Sequence, residues 1–407
     1  MEEERIKAIT VSADTGEWNV ENSMSELRSL CDTAGADVVA EIVQSADKIN
    51  PATYIGQGKA YEIREMIDRL DADMVIFDDS LSAVQTRNLE KIFEVPVIDR
   101  TVLILDIFAR NAKTAEGNLQ VELAQLEYRL PSLLGLGTGL SQQGGGIGTR
   151  GPGETKLETD RRHIRSRIQN LKSKLEELEK HRDLTRKARQ KSGAITVALV
   201  GYTNVGKSTI FNRLTGSEVL AENKLFATLD PTARKLSVGN LQQVILVDTV
   251  GFVSRLPHNL VEAFKSTLDE VRLADLIVLV LDASDEKWEE QLKVTQQVIG
   301  ELGCGNTPAV MVFNKCDAAG ETESLPGLRI SARTGEGMEK LLACISDKLS
   351  ERVVRAKLLF PFDEAGKANA LRERGNIIEE EWTEHGLAVD ATVDRALWPR
   401  FEKYRTE

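Results

Sequence analysis

Short apolar runs and longer helix-periodic stretches alternate along the first quarter of the chain. Residues 8–11, 38–43, 74–77 and 95–98 are brief and largely apolar, several of them rich in β-branched residues, which predicts strands. Helical stretches lie between them, notably 58–70 and 81–93. This rhythm predicts a small parallel α/β domain over 1–112. The Gly56-Gln57-Gly58-Lys59 run lacks a full phosphate-loop pattern and reads as a structural turn.

The pattern changes at residue 113. Leu119, Leu123, Leu126 and Leu130 follow one another at intervals of four, three and four. Ile164, Ile168, Leu171, Leu175 and Leu178 do the same at four, three, four and three. Two heptad-like stripes predict two long helices packed antiparallel, a hairpin over 113–192. Between them, 131–153 opens with Pro131 and holds nine glycines, which predicts a loop. A plain linker at a hairpin tip needs far fewer residues, so a probe that orders on contact with a partner is the favoured reading.

From 193 to 352, apolar runs at 194–200, 244–247, 276–281 and 309–313 predict the buried strands of a mostly parallel sheet. Polar motifs follow most of them. The first run leads into Gly201-Tyr202-Thr203-Asn204-Val205-Gly206-Lys207-Ser208-Thr209, and a helical start comes next. Strand, glycine loop and helix are the context of a P-loop, whose backbone N–H groups and helix N-terminus cradle phosphates. Lys207 is expected on the β- and γ-phosphates and Ser208 on Mg²⁺. Phe226-Ala227-Thr228 come next, with Thr228 the expected switch residue and a further Mg²⁺ ligand. After the second run, Asp248-Thr249-Val250-Gly251 offers a carboxylate to Mg²⁺ through water and the Gly251 N–H to the γ-phosphate. Asn314-Lys315-Cys316-Asp317 and Ser331-Ala332-Arg333 complete the set. Asp317 can accept from guanine N1–H and the exocyclic amine. Adenine would leave that carboxylate unpaired. Asn314 is expected to brace the loop, Lys315 to cover the base, and the Ala332 N–H to meet guanine O6. The ordered motifs imply GTP binding, with Lys207, Thr228 and Gly251 as the catalytic candidates.

The last segment, 353–407, predicts a strand at 357–360, a helix around 363–374 and two alternating runs at 376–383 and 386–393: a small α+β domain of net charge −2.

Charge adds one feature. The whole chain carries −12, which argues against a simple nucleic-acid binder, yet residues 150–192 hold fourteen Lys/Arg against seven Asp/Glu. A basic segment on an acidic chain suggests one surface facing a polyanion, although a helix alone could carry the same charge as solvated i,i+4 pairs. No apolar run reaches 18 residues, the start is acidic, and the four cysteines are scattered, so a reduced, cytoplasmic protein with no membrane span is expected.

These residues resemble the HflX family, translation-associated GTPases that act on ribosomes. The resemblance rests on 120–126, on 144–162 with its Glu158-Thr159-Asp160-Arg161-Arg162 end, on 226–231 and on 248–252. It implies four parts: an N-terminal α/β domain, a helical hairpin, a G domain and a C-terminal domain. It also implies binding to the large ribosomal subunit, with the hairpin loop near ribosomal RNA, and splitting or rescue of stalled ribosomes. Arg150, Arg161, Arg162, Arg165, Arg167 and Lys172 are then the candidates for contact with RNA. Many relatives carry arginine where this chain has Ser132 and Gln142, so the loop tip here is less basic. Family members are also credited with ATP use through the N-terminal domain, for which no motif is present. The chain is expected to be a monomer.

Two details refine the chemistry. In many GTPases a Gln after the Asp-x-x-Gly glycine orients the attacking water. Phe252 stands there instead, which predicts slow intrinsic hydrolysis. Asn204 fits either a local loop hydrogen bond or a potassium ion. The competing readings are a signalling switch that recruits a protein effector, and an ATP-driven RNA remodelling enzyme.

Overall fold

The computed structural model describes residues 5–140, 152–191, 195–217, 225–226, 231–238, 241–255, 270–320, 324–350, 353–395 and 397–406. The chain divides into two compact units: 1–176 with 224–226 and 254–264, and 177–223 with 227–253 and 265–407.

The first unit opens with β1 (Ile6–Asp14), α1 (Val20–Thr33), β2 (Ala36–Ser45), α2 (Gln57–Leu70), β3 (Met74–Phe77), α3 (Ala83–Phe93), β4 (Val97–Asp99) and α4 (Arg100–Asn111). All pairings are parallel and the strand order is β2-β1-β3-β4. Residues 8–13 of β1 are all buried, as a central parallel strand covered on both faces requires. Ile9 and Val11 pack with Ile63 and Ile67 of α2 and Leu89 and Phe93 of α3. Local chemistry fixes the helix starts. Ser82 and Gln85 form a capping box at α3, and the Asp99 carboxylate accepts from the Val102 N–H at the start of α4. The predicted α/β domain is present: β1 and β2 extend past their apolar runs, β3 matches its run, and β4 begins two residues later than its run.

Two long helices follow, α5 (Ala115–Leu140) and α6 (Pro152–Lys191). The predicted stripes meet: Leu123, Ile168 and Leu171 are buried, with Leu119, Leu126, Leu130, Ile164 and Leu175 packed around them. Arg167 pairs with Glu122 at 2.7 Å and Lys172 with Glu127 at 2.8 Å. The Tyr128 hydroxyl of α5 donates to the buried Asp99 carboxylate, which ties the hairpin to the sheet domain. One expectation is corrected: the predicted loop from 131 begins too early, because α5 runs through Pro131 to Leu140. Proline removes one backbone hydrogen bond and crowds the preceding turn, which can kink a helix without ending it.

The second unit holds β5 (Ile195–Gly201), α7 (Lys207–Thr215), β6 (Thr232–Val238), β7 (Leu241–Asp248), β8 (Leu276–Asp282), α8 (Trp288–Glu301), β9 (Ala309–Asn314), β10 (Leu328–Arg329) and α9 (Met338–Ser350). Its sheet order is β10-β9-β8-β5-β7-β6, parallel except for β6 against β7. Strand β6 is not among the strands expected from the apolar runs. It is an edge strand whose short polar-apolar alternation carries a weak signal. The chain leaves β5 for β7 on one side and β8 on the other, so the topological switch point lies at the end of β5.

The same unit contains a three-stranded antiparallel sheet of β11 (Val353–Phe360), β12 (Gly375–Thr383) and β13 (Gly386–Asp394), with a 3-10 turn at Ala365–Ala368 and α10 (Asn369–Arg374). Leu358, Phe360, Leu371, Leu387, Val389 and Tyr404 share its core. The predicted helix at 363–374 is therefore a turn and a short helix. Among the described residues no helix is long and apolar enough to cross a membrane.

Candidate functional site

The P-loop, Asp248-Thr249-Val250-Gly251, Asn314-Lys315-Cys316-Asp317 and Ser331-Ala332-Arg333 sit at the carboxyl edge of the six-stranded sheet. Gly201 ends β5, Asp248 ends β7, Asp282 ends β8 and Asn314 ends β9. Ligands of open α/β sheets bind at this edge.

The P-loop connects β5 to α7. Gly206 closes it with a left-handed backbone (φ 91), and a side chain there would run into the Asn314 amide. Asn314 braces the loop: its Nδ2 donates to the Val205 carbonyl at 2.8 Å, and its Oδ1 accepts from the Ala332 N–H at 2.9 Å. The Ala332 N–H, expected on guanine O6, is thus directed at Asn314. Asn204 is exposed, also with a left-handed backbone (φ 61). Tyr202, Thr203 and Val205 are buried, while Ser208 and Thr209 are half-buried on the first turn of α7.

Lys207 is buried and its Nζ donates to the Gly201 and Tyr202 carbonyls at 3.1 and 2.7 Å. Burial pushes its pKa down to about 8, against the opposing pull of the Asp248 charge. Ser208 Oγ donates to Asp248 Oδ2 at 2.7 Å, and Asp248 is fully buried. A hydroxyl and a carboxylate converging at a helix start are hard oxygen donors of the kind Mg²⁺ takes. Thr249 donates to the Leu199 carbonyl at 2.6 Å, Val250 is buried, and Gly251 lies against Thr203 and Lys207.

At the far side of the site, Asp317 accepts from the Ser331 hydroxyl at 2.6 Å and pairs with Arg333. The Ser331 hydroxyl, and then Arg333, hold its carboxyl below the usual carboxylate range, with desolvation opposing. The Arg333 side chain is 77% exposed, so this pairing exchanges with solvent at little cost. Lys315, at φ 63, pairs with Asp282 at 2.7 Å. Asp282 is not among the residues expected from the motifs, although its place directly after an apolar strand run is the same signal that marks Asp248. Arg213 is a second unexpected member. It donates to the Thr334 carbonyl at 2.9 Å and fixes the loop after Ser331, with no local pattern to announce it.

The structure therefore brings together Lys207, Ser208 and Asp248 on the phosphate side and Asn314, Asp317, Ser331 and Ala332 on the base side. Ala227, Thr228 and Arg150 lie outside the described residues. Phe226 belongs to the other compact unit, where it packs on Phe108. On α6, Arg162, Arg165, Arg167 and Lys172 are exposed and Arg161 is half-buried.

Comparison with known proteins identifies the family. Residues 21–109 match the family described as GTP-binding GTPase N-terminal, 111–189 the GTP-binding GTPase Middle Region, and 196–315 the 50S ribosome-binding GTPase family. GTPase HflX of Caldanaerobacter subterraneus subsp. tengcongensis is 49% identical over 389 residues, covering 94% of this chain and 90% of that one. The chain belongs to the HflX family of GTPases. Its HflX relative from Lacrimispora saccharolytica is 47% identical across 97% of this chain and 95% of its own length. The Escherichia coli relative is 44% identical across 93% and 92%. Membership in this family, together with the P-loop geometry, makes the protein a GTP-binding, GTP-hydrolysing enzyme.

Proposed function

We propose that this GTPase binds the large ribosomal subunit and remodels, splits or rescues stalled ribosomes, with the subunit stimulating its hydrolysis of GTP. One observation carries the reading. A P-loop with converging Lys207, Ser208 and Asp248 shares the chain with a hairpin whose α6 presents exposed Arg162 and Arg165, the segment that matches the Middle Region of this GTPase family. Lys207 holds the β- and γ-phosphates, exchanging its two carbonyl partners for phosphate oxygens. The amides of 203–208 and the dipole of α7 surround the same anions. Ser208 and Thr228, with Asp248 through water, would hold Mg²⁺, which would neutralise charge on the phosphates. Asp317 reads guanine, and Asn314 keeps the base loop in register with the P-loop.

Phe252 explains why help from outside is needed. Its side chain is buried, its N–H donates to the Gly201 carbonyl at 3.2 Å, and its carbonyl accepts from the Thr203 N–H at 2.7 Å. An apolar buried ring cannot align a water molecule. The test is sucrose-gradient fractionation of purified ribosomal subunits with the protein and either GDP or a non-hydrolysable GTP analogue. The expected result is co-sedimentation with the large subunit in the GTP-analogue sample. No association in either sample moves the protein-effector switch ahead.

A further inference from the structure

The P-loop pattern specifies Gly201, Gly206, Lys207 and Ser208 and leaves the residues between the two glycines open. Phosphates are met there by backbone N–H groups, so no particular side chain is required at 203. Thr203 is nevertheless 5% exposed, and its hydroxyl has no hydrogen-bond partner among the described residues. An unpaired buried hydroxyl costs stability, and valine has nearly the same shape without that cost.

Backbone pairing holds Thr203 beside the Asp248-Thr249-Val250-Gly251 segment. The Thr203 N–H donates to the Phe252 carbonyl at 2.7 Å, and the Phe252 N–H donates to the Gly201 carbonyl at 3.2 Å. Tyr202 and Phe252 thereby form a parallel bridge, which brings Gly251 against the P-loop. A Cβ on Gly251 would fall 2.7 Å from Thr203 Cα, 2.8 Å from Thr203 Cγ2 and 2.9 Å from Lys207 Nζ. The Thr203 side chain and the Lys207 ammonium therefore border the same point. All of these residues belong to one compact unit.

That point separates GTP from GDP. In GTPases the glycine of Asp-x-x-Gly meets the γ-phosphate and the P-loop lysine spans the β- and γ-phosphates. A side chain that borders both lies beside the γ-phosphoryl oxygens. Charged oxygens are strong acceptors for an O–H donor. GTP brings an acceptor to the Thr203 hydroxyl, and GDP, which lacks the third phosphate, does not.

We propose that Thr203 is a catalytic residue whose hydroxyl donates to a γ-phosphoryl oxygen of GTP. The contact favours GTP over GDP in binding. It also sets a fixed donor on the oxygens that carry charge during phosphoryl transfer. The inference rests on Lys207 holding the β- and γ-phosphates, as proposed above, and is independent of the partner.

The test uses the full chain, with fluorescence titration of labelled GDP and a labelled non-hydrolysable GTP analogue, and single-turnover phosphate release. Thr203→Val removes the hydroxyl and keeps the shape. It is expected to weaken the GTP analogue on the order of 10–100-fold, the range for a hydrogen bond to a charged group, with GDP affinity unchanged and hydrolysis slower. Thr203→Ser keeps the hydroxyl and should hold the ratio of the two affinities near its original value. The nucleotide-free melting temperature of Thr203→Val should rise, because the unpaired group is gone. An unchanged affinity ratio in Thr203→Val overturns the proposal. So does a lower melting temperature with equal losses for both nucleotides, the mark of a hydroxyl that only supports the loop. Lys207→Ala checks the reading beneath it and should lose both nucleotides. Full retention of both by Lys207→Ala overturns the phosphate role of Lys207, and this proposal with it.

Discussion

Lys207 is the residue whose setting makes the most specific claim about the GTP site. Its ammonium is buried and donates to two carbonyls, and its pKa falls to about 8 because burial disfavours the charged form. Phosphates favour the charged form and raise that pKa on binding. Below pH 8 the ammonium is already present, so affinity is flat. Above pH 8 binding must take up a proton, so affinity falls by about tenfold per pH unit until the bound-state pKa is reached. GDP titrations between pH 7 and 9.5 read this directly, and affinity that stays level across the range rules it out. Such a group is easy to place from sequence, because the P-loop is local and its spacing alone fixes which side chain meets phosphate. Arg255 is not legible in the same way. Its partner Asp78 lies 177 residues away, and nothing near it in the chain distinguishes it from any other surface arginine.

Among the elements, the helical hairpin separates what patterning reveals from what it hides. The leucine and isoleucine stripes predict both helices and their packing, since an apolar seam must be covered. Charge pattern is less informative. It places six basic residues on a surface facing RNA, but two of the described ones have local work: Arg167 and Lys172 bridge to Glu122 and Glu127 across the seam. Arg162 and Arg165 are exposed on the same helix. The two pairs of residues should therefore separate on mutation. Reversing Arg162 and Arg165 to Glu is expected to flatten the salt dependence of large-subunit binding by roughly one unit of log–log slope for each phosphate that is no longer neutralised. The melting temperature should stay the same. Arg167→Glu places like charges across the seam and should lower the melting temperature instead. Binding measured from low to moderate salt, together with thermal melts, distinguishes them. A double reversal that leaves the slope intact removes these arginines from the RNA surface.

For the whole molecule, the question is how a site with Phe252 in the place after Gly251 is made to turn over. On the proposed function, hydrolysis draws on an element supplied in trans, and such elements contribute about 10³–10⁵-fold in phosphoryl transfer. The proposed source is the large subunit, and the proposed sensor is the segment 141–151, between α5 and α6 in sequence. Phosphate release by the intact chain alone should be slow, and added large subunits should raise its rate strongly. Replacing 141–151 with a short Gly-Ser linker should remove most of that stimulation while GTP affinity stays unchanged, because the P-loop, Asp248 and Asp317 all lie in a different part of the chain. If the linker variant is stimulated as well as the intact chain, the segment 141–151 is not the sensor, and the search moves to the small antiparallel sheet of β11, β12 and β13. If neither is stimulated, the large subunit is not the activator, and the activating element must come from another partner.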